Sequence, residues 1–175
     1  MINLEPLARK IGVVWVIIAA AGAVVPAYAG PAEVALLKSY EGSWKGTGKV
    51  VGTDTEMVNC RMSLTPGNDD KVNYAGRCAL AGSNLSINGT LAYIENSHRY
   101  EGAMTSNVNF SGVAVGQKTG AGIVFNLVSR GQNEGVTIEI RAGITLTPNG
   151  IIVNFKATDV DTGKVINAVV PFAKS

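Results

Sequence analysis

The sequence predicts an all-β fold: an antiparallel up-and-down β-barrel of about eight to ten strands after one short helix. From Trp44 onward, apolar and polar residues alternate with a period of two. Turn residues such as Asn149-Gly150 separate these stretches, and no link is long enough for a crossover helix, so neighbouring strands must be antiparallel. A long meander with one apolar face curls until its edges meet, because an open sheet would leave that face in water. A two-sheet sandwich is the alternative.

The first residues have the pattern of an export signal. Arg9 and Lys10 precede the apolar run 11–25, and Ala27-Tyr28-Ala29 places small residues where a signal peptidase reads them. We therefore expect residues 1–29 to be a cleaved signal peptide, residues 30–175 to form a single β-barrel domain, and the protein to be periplasmic or secreted in a bacterium. A retained anchor is the alternative, since 11–29 is just long enough to span a bilayer. After cleavage we expect no membrane span.

The remaining domain is close to neutral, with 13 Lys and Arg against 12 Asp and Glu. A balance of this kind, spread evenly along the strands, gives no electrostatic case for nucleic acid or for an anionic membrane as a partner. The expected partner is a small hydrophobic ligand or a secreted protease, and the oligomeric state stays open.

A short helix is expected over 31–38, because Pro31 suits a first helical turn and Glu33 suits the helix dipole. Gly42 ends this segment. The alternating stretches that follow lie at 44–50, 58–64, 72–80, 85–93, 100–104, 108–110, 123–127, 136–146, 151–157 and 166–172. Glycines within them, such as Gly89, fit the strong coiling of a small barrel.

The chain has two cysteines, Cys60 and Cys78, on the two arms of a hairpin around Asp69. Folding the hairpin about this turn places Cys60 opposite Cys78 and Arg61 opposite Arg77, with both cysteines on the inner face. In an exported chain such a pair forms a structural disulfide. Closing a loop of about 19 residues would stabilise the fold by roughly 3 kcal/mol. A redox or metal pair is the alternative, but there is no C-x-x-C spacing.

No set of residues predicts catalysis. The single histidine, His98, lies in a polar turn, and the acidic residues fall in turns or at outward strand positions. Asp69-Asp70 and Asp159-x-Asp161 do not extend into a calcium loop and are typical turn formers. We therefore expect no enzyme, no cofactor and no metal.

The barrel interior is the remaining candidate site. Small barrels either fill with side chains or hold one small apolar ligand. The large residues expected on the inner face, and therefore the candidate ligand contacts, are Trp44, Met62, Tyr74, Tyr93, Tyr100, Phe110, Phe125 and Phe155. Core packing is the alternative role for each of them.

At Gly42-Ser43-Trp44 the sequence resembles the calycin barrels, including the lipocalins, whose first strand opens with G-x-W after a short helical turn. The resemblance implies that Trp44 closes one end of the barrel. It also implies a basic residue on the last strand against the tryptophan, for which Lys174 is the nearest candidate. Carriage of a small apolar ligand is the function that this family implies.

The same motif, with a disulfide joining the next two strands, is similar to small periplasmic inhibitors of secreted metalloproteases. In that family the residues before the first strand enter the protease cleft, so the resemblance implies an inhibitory segment at 30–34. We therefore expect a non-catalytic exported barrel that binds a small apolar ligand or an envelope partner. A protease inhibitor and a structural envelope protein are the alternatives.

Overall fold

The computed structural model describes residues 29–52, 54–80, 83–108, 110–133 and 135–175. The predicted signal peptide therefore lies outside the described residues, except for Ala29. The elements are one helix, α1 (Ala29–Lys38), and ten strands: β1 (Gly42–Val51), β2 (Thr55–Pro66), β3 (Val72–Leu80), β4 (Ser83–Ile94), β5 (Arg99–Ser106), β6 (Ser111–Thr119), β7 (Gly122–Asn133), β8 (Val136–Thr147), β9 (Gly150–Asp159) and β10 (Val165–Lys174). Within these ranges, no helix has the length and apolar character needed to cross a membrane.

The ten strands form one closed antiparallel barrel. Each strand pairs with the next in the chain, and β10 returns to pair with β1, where Trp44 lies opposite Lys174. The predicted up-and-down barrel with a short helix before it is confirmed, and the sandwich alternative is wrong. Closure leaves these ten strands without a free edge that could pair with another chain.

The hairpin of β2 and β3 has the register that the sequence predicts. Cys60 lies opposite Cys78, and Arg61 lies opposite Arg77. The two sulfur atoms are at the bonding distance of a disulfide, 2.01 Å. The cysteines face the interior and the arginines face outward, as the alternation of the two strands requires.

Helix α1 covers one end of the barrel, which we call the helix end. Leu37 is fully buried there, and the Tyr40 hydroxyl donates to the Leu146 carbonyl oxygen at 3.3 Å. Lys38 pairs with Asp70 in the β2–β3 turn. The opposite end, formed by the β1–β2, β3–β4, β5–β6, β7–β8 and β9–β10 connections, carries no helix among the described residues and is called the open end.

The prediction of a strand at 108–110 is wrong. The Ser106 Oγ accepts the backbone N–H groups of Val108 and Phe110, so the chain turns here instead of extending. The next strand, β6, has no counterpart among the predicted stretches, because its larger apolar residues do not lie on the inner face. Its small residues face inward, while Val113 and Val115 face water.

Candidate ligand-binding site

An apolar cavity of about 220 Å³ lies between the middle of the barrel and the open end. Four of the predicted contact residues line it: Met62, Tyr74, Phe110 and Phe155. They come from β2, β3, the β5–β6 turn and β9, so the cavity has walls on opposite sides of the barrel. Because it is enclosed by the sheet, its shape depends on the inner side chains and on the open end.

Small inner residues keep this part of the barrel hollow. Gly76 and Ala142 both line the cavity. A methyl group added at Gly76 would have no atom closer than 3.9 Å, which shows that open space lies beside this backbone. On adjacent strands, Met62 is paired with Gly76 and Phe155 is paired with Ala142. Each large side chain therefore has a small residue beside it, and the space over the small residue stays open.

The cavity offers a ligand apolar atoms rather than polar partners. Tyr74 brings a hydroxyl into the wall, but that hydroxyl donates to the Ala103 carbonyl oxygen at 3.2 Å. Burial raises the pKa of Tyr74 well above its usual value, so the phenol stays neutral. Whatever part of a molecule enters this space must therefore be apolar, because a polar group would lose its hydrogen bonds to water.

The other four predicted contact residues, Trp44, Tyr93, Tyr100 and Phe125, do not line this cavity. They lie toward the helix end, where Trp44, Tyr100 and Phe125 are buried. The ring centroids of Tyr93 and Tyr100 are 5.2 Å apart, and those of Tyr100 and Phe125 are 6.2 Å apart, both in edge-to-face arrangements. Tyr93, Tyr100 and Phe125 therefore pack against one another, and Trp44 belongs to the same buried core. A ligand contact by any of the four stays a prediction.

Trp44 has the surroundings that the calycin resemblance implies. Its indole N–H donates to the Tyr40 carbonyl oxygen at 3.0 Å, which links the start of β1 to the turn that follows α1. The Lys174 Nζ lies 5.6 Å from the centre of the indole ring, on the neighbouring strand β10. The cation and the ring face form a cation–π contact.

A charged network fixes α1 to the helix end. The Tyr100 hydroxyl donates to the Glu33 carboxylate, which also pairs with Lys118 at 3.0 Å. The hydrogen bond from Tyr100, followed by the charge and hydrogen bond of Lys118, holds the pKa of Glu33 below its usual value in spite of partial burial. Burial and this carboxylate raise the pKa of Tyr100, so the phenol remains the donor.

Further cavity residues were not among the predicted contacts. The larger apolar ones are Leu85, Ile87, Met104, Val108, Ile140, Ile144, Val153 and Phe172. The alternation along each strand indicates that most of these side chains point inward. It does not show which inward side chains of strands on opposite sides of the barrel come close to one another. That information depends on the stagger of the strands around the closed sheet.

The described residues contain no cluster of three or more His, Cys, Asp and Glu side chains able to hold a metal ion. His98 lies in the turn before β5 with its Nδ1 3.3 Å from the Tyr93 hydroxyl oxygen. This exposed pair is at the helix end, away from the apolar cavity.

The fold and the cavity define a class: a closed ten-stranded antiparallel barrel, capped by a helix at one end and hollow toward the other. No protein-family model matches the sequence. No curated protein matches it significantly either.

Two solved structures have a similar fold at low sequence identity, and a third aligns more weakly. The crystal structure of Rv2717c from M. tuberculosis aligns with a TM-score of 0.63 and 14% identity, covering 81% of this chain and 96% of that one. The S-type phycobiliprotein lyase CPES from Guillardia theta aligns with a TM-score of 0.50 and 12% identity, covering 83% and 93%. A de novo designed fluorescence-activating β-barrel aligns with a TM-score of 0.41 and 10% identity, covering 79% and 96%. At these identities the likeness to the first two structures concerns the fold alone.

Proposed function

We propose that this protein is a non-catalytic, exported, calycin-like β-barrel that binds one small apolar molecule in the cavity between Met62, Tyr74, Phe110 and Phe155. The observation that carries the proposal is the hollow, apolar character of this part of the interior. Protein cores are packed densely with few voids larger than a water molecule, so a space of about 220 Å³ is not ordinary packing.

The volume limits the ligand. It exceeds the cavity of about 150 Å³ that holds benzene in an engineered protein, and it lies below the 300–1,000 Å³ of sites for drug-sized molecules. One ring or a short hydrocarbon chain would fit. Any polar head group of such a ligand would remain at the open end, where the Val108 and Phe110 turn borders the cavity.

Two alternative functions receive less support. A protease inhibitor acting through 30–34 would need this segment free to enter a cleft. Instead it forms the first turns of α1, where Gly30 is buried and Glu33 is bonded to Tyr100. A purely structural envelope protein would be expected to fill its interior, and the cavity argues against that. We therefore favour ligand binding.

A homologous series of n-alkanols tests the proposal. Each added methylene contributes about 0.8 kcal/mol when it is buried, so affinity should rise about fourfold per carbon and level off once the cavity is full. Native mass spectrometry and calorimetry on the mature protein would measure this. Trp44 fluorescence is a poor reporter, because the indole lies outside the cavity.

A pair of matched variants locates the site. Ala142→Leu fills the cavity and should abolish alkanol binding, whereas Ala103→Leu adds the same atoms at an exposed position and should leave binding unchanged. Binding that survives Ala142→Leu, or affinity that does not depend on chain length, would show that the cavity is not the site.

A further inference from the structure

One side of the barrel surface carries charges of a single sign. Within the described residues, the outward positions of the adjacent strands β10, β1, β2 and β3 include no acidic residue. They carry four exposed cations: Lys45, Lys49, Arg61 and Arg77. We call this surface the basic face. The nearest acids in sequence are Glu41, just before β1 at the helix end, Asp54 in the β1–β2 turn at the open end, and Glu56, the second residue of β2.

Three of these cations form a row across neighbouring strands. Lys45 lies opposite Arg61, and Arg61 lies opposite Arg77, so the row spans about 10 Å at the usual strand spacing. Like charges directly opposite each other destabilise a sheet. The Cys60–Cys78 disulfide, one residue along, holds this register against the repulsion.

These cations have no anionic partner in the described part of the protein. The five ion pairs found there use Lys38, Lys71, Arg99, Lys118 and Arg141. The residues flanking the row are small and uncharged, for example Ser43, Ser63 and Ala75, and they form a shallow groove of about 490 Å³ along it. Two adjacent guanidinium groups bordered by small residues can each present a planar fork to a phosphate group.

Exposed apolar residues lie on the same face. Val51, Met57 and Val169 are 48%, 53% and 53% exposed, and Lys49 lies directly between Met57 and Val169 in the register. A lipid interface accommodates both kinds of side chain, because phosphates pair with the cations and the acyl boundary takes up the apolar groups. An acidic polypeptide would satisfy the cations but leave these apolar side chains in water.

We propose that the basic face docks the barrel on the surface of an anionic lipid bilayer. Arg61 and Arg77 donate to headgroup phosphates, Lys45 and Lys49 add charge, and Met57, Val51 and Val169 reach the acyl boundary. This inference does not depend on what the cavity binds, because the face lies on the outside of the wall. The sequence predicts charge spread evenly along the strands and therefore no case for an anionic membrane, but the fold brings four cations together on this face. The field near a bilayer acts over about 10 Å and therefore on these local charges, whatever the net charge of the protein.

Vesicle co-sedimentation of the mature protein tests the proposal. Binding to phosphatidylcholine vesicles that contain phosphatidylglycerol should exceed binding to pure phosphatidylcholine vesicles and should weaken as salt is added. Arg61→Gln combined with Arg77→Gln should lower the partition coefficient about thirtyfold, which corresponds to about 1 kcal/mol for each charge near an anionic surface. This variant should fold, because it removes a like-charge pair.

Two control variants test whether binding depends on the position of the charges or only on their number. Arg99→Gln with Arg130→Gln removes the same charge from β5 and β7 and should leave binding unchanged. Arg61→Lys with Arg77→Lys keeps the charge and should retain most of the binding. The proposal is overturned if both charge-removing variants weaken binding equally, if neutral vesicles bind as well as anionic ones, or if soluble polyglutamate competes for the face while vesicles do not bind.

Discussion

Replacing Tyr100 by Phe removes one hydroxyl from the network that holds α1 on the barrel. Tyr100 is 1% exposed, so the phenylalanine ring keeps the packing against Tyr93 and Phe125 and the change is confined to the hydrogen bond. A hydrogen bond to a charged group contributes about 1.5–3 kcal/mol, and here the acceptor is the Glu33 carboxylate. The melting temperature at pH 7 should therefore fall by about 3–12 °C, at about 2–4 °C for each kcal/mol in a domain of this size.

The stability lost in Tyr100→Phe should be smaller at acid pH than at pH 7. The fold holds the pKa of Glu33 below its usual value, first through the Tyr100 hydrogen bond and then through Lys118. A group with a lowered folded pKa contributes stability above its unfolded pKa, and this contribution disappears as pH falls through the folded value. The wild-type protein should thus lose more stability on acidification than Tyr100→Phe does, and the two proteins should converge at acid pH.

Thermal melts followed by circular dichroism at several pH values would measure both effects. Glu33→Gln and the double variant complete a mutant cycle, which should give a coupling free energy of more than about 1 kcal/mol at pH 7 for two groups in contact. Tyr93→Phe is the control, because among the described residues the Tyr93 hydroxyl is hydrogen-bonded only to His98 at the surface, so its removal should matter little. A cycle with no coupling, or a Tyr100→Phe loss that is constant with pH, would refute this account of the network.

The remaining predictions concern the wall and the closure of the barrel. Gly89→Ala should lower stability by about 1–3 kcal/mol in urea unfolding, because the new methyl would lie 2.0 Å from a backbone carbonyl oxygen. Gly131→Ala, where no atom lies within 4 Å, should change it by less than about 0.5 kcal/mol. Cys60→Ser with Cys78→Ser should cost about 3 kcal/mol, and reductant should destabilise the parent but not this variant. Lys174→Gln should cost about 0.5–1 kcal/mol and shift the emission of the indole beneath it, and unchanged emission would contradict the cation–π contact.

Much of the fold could be predicted because its signals are local. Period-two alternation assigns the inner and outer faces of a strand without knowledge of its neighbours. The two cysteines then set the register of β2 against β3, since each had only one possible partner. Closure followed from the length of the meander and the need to bury one face.

Strand β6 was missed because its pattern depends on a neighbour. Its inner residues Gly112 and Gly116 are small, since Leu127 and Phe125 of β7 occupy the space beside them. An added methyl group would lie 3.0 Å and 2.6 Å from these side chains, respectively. A rule that assigns the larger apolar residues to the interior therefore places Val113 and Val115 on the inner face, whereas both are exposed.

The same dependence explains why half of the predicted contact residues do not line the cavity. Large residues face small ones at both ends of the barrel: Tyr100 is opposite Gly116, and Met62 is opposite Gly76. The helix end is nevertheless full, because α1 and the segment after it add Leu37 and Tyr40 to the space that the small residues leave. No described element adds side chains to the open end in this way, so the same pairing there leaves a cavity. Glycine content alone therefore does not predict where a small barrel is hollow; the position of the capping helix is also needed.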